Sequence, residues 1–133
     1  MRMEKIFENC NEFKCLHAFS TRLGGVSDSE FEALNLGFGY GDSDSNVIKN
    51  WDIFSKATKI PIDNLVWSKQ VHKNKVKILA RNFITSEINI GLNGYDGLVT
   101  NNENLTLCIF TADCTPVLLC DRKAKVIAAL HCG

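Results

Sequence analysis

The chain has 133 residues, the usual size of one domain, and is long enough to bury a core of its own. Fifteen Lys and Arg balance fifteen Asp and Glu, which excludes a nucleic-acid partner held by bulk electrostatics. With 45% hydrophobic and 23% charged residues the chain is neither disordered nor membrane-embedded; no apolar run approaches a spanning helix, and residues 1–8 carry no secretory signal. The expected compartment is the cytoplasm, where the six cysteines would be free thiols or ligands rather than disulfides.

The first expected strand is Cys15 to Thr21, with Cys15, His17 and Phe19 on one face by strand alternation. Arg22 to Ser27 is a turn, because Gly24-Gly25 admits positive φ. Residues 29–42 are glycine-rich loop with no phosphate-loop spacing. The strongest helix follows. Asp44 or Ser45 can cap it, Val47, Ile48, Trp51, Phe54 and Ala57 form its apolar face, and Pro61 closes it. Leu65 to Val71 and Val76 to Leu79 read as strands joined by a hairpin turn at His72 to Lys75. Gly91 to Gly97 is loop. Leu98 to Thr100, Leu105 to Phe110, Pro116 to Cys120 and Val126 to Leu130 are further strands, the last two a hairpin through Asp121 to Ala124. The reading is α+β with one strong helix.

Three positions gather chemistry at strand ends: His72 after Gln70-Val71, Cys114 in Thr111-Ala112-Asp113-Cys114, and His131 after Leu130. Two imidazoles and a thiolate leave one position of a tetrahedral zinc open, the donor set of a catalytic metal. The same residues also suit a cysteine nucleophile with a histidine base, or two surface histidines and a small buried thiol. Spacing does not separate these readings. Arg22 beside two glycines could clamp an anion. Asn35, Asp42 and Asp96 lie in loops that favour them for turn reasons. Cys10, Cys15, Cys108 and Cys120 read as core thiols.

Four blocks resemble the laccase-domain family, also described as multicopper polyphenol oxidoreductase-like, YfiH/YlmD-like or peptidoglycan editing factor proteins. They are residues 17–27 (HAFSTRLGGVS), Asn35-Leu36-Gly37 with Gly41-Asp42, Gln70-Val71-His72, and the run from Asp96 through Thr111-Ala112-Asp113-Cys114-Thr115-Pro116-Val117 to Gly133. The resemblance implies an α/β/β/α sandwich of mixed sheets, of which residues 1–133 are the N-terminal portion of a single domain. It implies zinc, with copper as the alternative, on His72, Cys114 and His131. It also implies phosphorolysis of adenosine, inosine or methylthioadenosine, with adenosine deamination beside it. Phenol oxidation at copper, peptidoglycan editing and an inactive fragment are the alternatives. Under that reading Arg22, Asn35 and Asp113 are catalytic, and His17, Asp96 and Thr111 bind substrate. The partners are a purine nucleoside and phosphate, without nucleic acid or membrane; the oligomeric state is open. Two positions depart from the family pattern: Lys73 stands where it has glycine, and Asn50-Trp51 where it has Asn-Arg.

Overall fold

The computed structural model describes residues 5–133, which form two compact units divided between residues 62 and 63. In the first, β1 (Phe7–Glu8) pairs antiparallel with β2 (Phe19–Ser20). The strand expected over 15–21 contracts to β2. The His17 ring explains why: its Nε2 accepts from the Cys10 N–H at 2.9 Å and its Nδ1 lies 2.8 Å from the Cys15 carbonyl. Such side-chain-to-backbone bonds compete with a strand ladder. A short 3₁₀ turn, Ser29–Phe31, lies in the glycine-rich loop.

Helix α1 spans Asp44–Thr58. Its cap is Ser43 rather than Asp44 or Ser45: the Ser43 Oγ accepts from the Asn46 N–H at 3.2 Å. The helix ends where Lys59 turns left-handed (φ 64°), two residues before Pro61. The buried stripe is Val47, Asn50, Trp51, Phe54 and Thr58. Ile48, expected on that stripe, is exposed. Asn50 is buried there because its amide is fully used: it accepts from the Val26 N–H and donates to Ser27 Oγ and the Asn35 carbonyl. The Trp51 indole N–H likewise reaches the Leu36 carbonyl at 2.9 Å.

The second unit contains the remaining strands: β3 (Leu65–Val66), β4 (Ser68–Lys69), β5 (Val76–Leu79), β6 (Leu92–Asn93), β7 (Gly97–Thr100), β8 (Thr106–Leu107), β9 (Thr115–Asp121) and β10 (Val126–Cys132). Four form a mixed sheet in the order β5-β7-β10-β9, with β5 parallel to β7 and the other neighbours antiparallel. The β9–β10 hairpin forms as expected. The hairpin expected across His72 to Lys75 does not. Instead β3 pairs in parallel with β8, β4 with β6, and β5 with β7. A continuous apolar run such as Leu65 to Val71 marks burial, not partner, and Trp67 splits it by packing against Phe110 and donating to the Ile88 carbonyl. Leu79, Leu98, Val66 and Leu105 form the unit's core. The architecture is α+β with mixed sheets and one α-helix among the described residues.

Candidate metal centre

His131 lies inside β10, paired with Pro116 of β9, while Cys132 pairs with Thr115. Cys114 is therefore the residue just before β9, at the same sheet end as His131. His72 arrives from the segment after β4. Its delivery depends on Gln70, whose side-chain amide donates to the Phe110 carbonyl at 2.7 Å and accepts from the Phe110 N–H at 2.8 Å. One side chain thus imitates a β-bridge and ties the His72 segment to the segment that leads into Cys114. The motif Gln70-Val71-His72 was visible in the sequence; that its glutamine holds the other chain segment was not.

The three donors converge. One nitrogen of each histidine and the Cys114 Sγ all lie within 4.8 Å of one another. The Sγ is 3.9 Å from His72 Nε2, and the two imidazoles meet edge to face at 4.7 Å between centroids. Tetrahedral zinc with ordinary bond lengths sets its N and S ligands roughly 3.3–3.6 Å apart, so small rotations of these side chains close the set on an ion. His131 is buried, Cys114 half-buried and His72 exposed, so the cluster opens on the His72 side, where a fourth ligand would enter. The Gly133 backbone lies against all three: a Cβ there would sit 3.1 Å from the His72 ring, 3.6 Å from the His131 ring and 3.7 Å from the Cys114 Sγ.

Asp96 organises this corner. Its carboxylate accepts from the backbone N–H groups of Val71, His72 and Lys73 and lies 2.8 Å from His131 Nδ1. His72 has φ 57°, a left-handed conformation uncommon for a non-glycine residue, and it is this curl that turns three successive amides onto one carboxylate. Burial raises the Asp96 pKa, but the bonds from Lys73, His131, His72 and Val71 outweigh it and lower it to about 2. An ionised Asp96 holds His131 as the Nδ1–H tautomer and leaves Nε2 for an ion, the arrangement by which carboxylates orient metal-binding imidazoles.

The other expected residues are placed as follows. Asp113 is exposed, with Oδ1 4.0 Å from the Cys114 Sγ. Thr111 is exposed two residues earlier. In the first unit the exposed Arg22 donates through Nε and an Nη to the Glu32 carbonyl at 3.1 and 2.7 Å. Asn35 donates to Asp42 and accepts from the Gly37 N–H, and Asp42 also accepts from Ser27 Oγ and caps the approach to α1 through the Ser43 N–H. Bonds from Ser27 and then Asn35 hold the Asp42 pKa below the usual carboxylate value. The thiols differ from expectation. Cys108, expected in the core, is half-buried, and burial pushes its thiol up to about 12. Cys10 is exposed and donates to Glu12. Cys15 and Cys120 are each disulfide-bonded rather than free, and each is half-buried.

Residues 16–133 match the family model described as multi-copper polyphenol oxidoreductase laccase. A purine nucleoside phosphorylase of Mycobacterium bovis is 39% identical over 114 residues, covering 86% of this chain and 44% of the relative. The purine nucleoside phosphorylase YlmD of Bacillus subtilis is 30% identical over 128 residues, covering 94% of this chain and 46% of the relative. The crystal structure of the YfiH protein of Bacillus licheniformis superposes with a TM-score of 0.80 at 28% identity, covering 87% of this chain and 45% of that one. The chain spans a little under half the length of these relatives.

Proposed function

The chain belongs to the multi-copper polyphenol oxidoreductase laccase family, and from that premise we propose that it is the N-terminal portion of a single laccase-like domain that cleaves purine nucleosides with phosphate. The substrates are adenosine, inosine or methylthioadenosine, with deamination of adenosine by water at the same centre. The observation that carries this reading is the convergence of His72, Cys114 and His131 beside the carboxylate of Asp96, in a chain whose relatives are named purine nucleoside phosphorylases.

The donor set fits zinc: two neutral imidazoles, one thiol able to ionise, and an open side. When bound, zinc supplies a Lewis acid for a phosphate or water oxygen. The protein's share is positional. Asp96 fixes the His131 tautomer and the His72 turn. Gln70 keeps His72 opposite Cys114. In phosphorolysis the bond from the sugar C1′ to the base nitrogen breaks, a phosphate oxygen bonds to C1′, and the departing base takes a proton. Asp113, exposed beside Cys114, is the group proposed to hand over that proton. The expected roles of Arg22, Asn35, His17 and Thr111 toward phosphate, ribose and base are part of the same proposal.

A second reading is copper-dependent phenol oxidation on the same three donors, favoured by the family's description. A single three-donor site suits Lewis-acid work better than the relayed electron transfer of several coppers. Incubation with adenosine, with and without phosphate, separates the two. Phosphate-dependent release of adenine supports phosphorolysis, whereas copper-dependent oxygen uptake with a phenol and no purine cleavage overturns it. Metal analysis of Cys114→Ala tests the ligand set, because zinc content equal to that of the unaltered chain would remove Cys114 from it.

A further inference from the structure

Two of the three donors, His72 and His131, line a cleft of about 400 Å³. Its lining includes His72, Lys73, Lys75, Asp96 and His131. Asp96 is the sole acid among the described residues that line it, and its carboxylate is already committed to three backbone N–H groups and to His131. Neither Lys73 nor Lys75 takes part in an ion pair among the described residues. Two lysines therefore outnumber one carboxylate at the mouth of the donor cluster, a local excess of one positive charge in a chain of zero net charge.

These lysines are not on a loose loop. Asp96 accepts from the Lys73 N–H at 2.9 Å and donates its own N–H to the Lys75 carbonyl at 2.9 Å, so one residue grips both ends of the turn that presents them. The same residue bonds to His131, which keeps the lysine turn and the donor cluster in one rigid assembly.

We propose that Lys73 and Lys75 form an oxyanion site that holds the phosphate group beside the donor cluster. The inference rests on the phosphorolytic reading for its substrate and names which residues of this chain take the phosphate. Phosphate needs point charges at short range, which two ammonium groups supply. Phosphate is also the ligand whose two possible sources, inorganic phosphate and a pentose 1-phosphate, share this chemistry.

The test is a calorimetric titration of inorganic phosphate, and separately of ribose 1-phosphate, into metal-free chain and into Lys73→Ala/Lys75→Ala. Because both lysines are exposed, the variant is expected to fold, and a charge-keeping Lys73→Arg/Lys75→Arg variant serves as the control. The expected result is saturable binding that weakens about tenfold in the alanine variant and survives in the arginine one. Binding of either phosphate through the lysines supports the proposal, and the tighter of the two identifies its source. Equal affinity in chain and alanine variant, or no binding by the unaltered chain, overturns it. Failure of the phosphorolytic reading looks different: lysine-dependent phosphate binding without phosphate-dependent cleavage of adenosine. Cleavage with an unchanged KM for phosphate in the alanine variant overturns the lysine assignment and leaves the reaction standing.

Discussion

Asp96 shows how much one residue can be asked to do. Its carboxylate collects three amides and an imidazole in a buried position, and its pKa falls to about 2 from 3.8. A carboxylate depressed in the folded state stabilises fully above its unfolded value and loses that contribution as pH falls through its folded value. The lowering corresponds to about 2 kcal/mol. In metal-free Asp96→Asn, an amide cannot accept from all four donors, so the loss near neutral pH should be about 3 kcal/mol or more. The gap between the two proteins should then narrow by about 2 kcal/mol between about pH 5 and pH 2. Urea unfolding of both proteins across that range measures it. A gap independent of pH would mean that Asp96 is not ionised through its bonds to the His72 turn and His131.

At the scale of elements, the central sheet has two unlike faces, and β5 displays both. Leu79 is 1% exposed and packs on Leu98 in the core, while Ile78, one residue earlier, is 76% exposed. Ile78 lies in register with Val99, Ala128 and Leu119 across the four strands, so an apolar row runs over the open face. Leu79→Ala should cost about 2–5 kcal/mol. Ile78→Lys should change stability by about 0.5 kcal/mol or less and reduce self-association by breaking that row. Denaturant unfolding and sedimentation of both variants decide it, and equal costs at the two positions would contradict the alternation. The same strand shows what a sequence discloses. Val76 to Leu79, the β9–β10 hairpin and α1 were legible because period, turn residues and a closing proline are local signals. The pairing of β5 with β7 was not, since Val76 to Leu79 reads alike in a hairpin and in a parallel sheet. Nor was the capping serine, one residue ahead of the two expected caps. In the site, His72, Cys114 and His131 stood out as donor types at strand ends. The Gln70 clamp was hidden because its partner is a backbone amide and carbonyl forty residues on.

For the molecule as a whole, the donor cluster is a source of linkage as well as of chemistry. His72, Cys114 and His131 come from three separate segments of residues 63–133, and the unfolded chain has no means of holding them together. An ion that prefers the assembled set therefore stabilises the fold, by about 2.7 kcal/mol when its free concentration is a hundred times its dissociation constant. Zinc should raise the melting temperature of the chain, and a chelator should return it to the metal-free value. Cys114→Ser is the informative variant. Cys114 is half-buried and lies outside β9, so the metal-free melting temperature should barely move, while the increment from zinc should shrink to a small remainder. Differential scanning calorimetry of both proteins, with zinc and with chelator, reads the two quantities separately. A full zinc increment in Cys114→Ser would mean that the ion binds elsewhere. An increment absent from both proteins would mean that these three segments, although brought within 4.8 Å, do not close on zinc in a chain of this length.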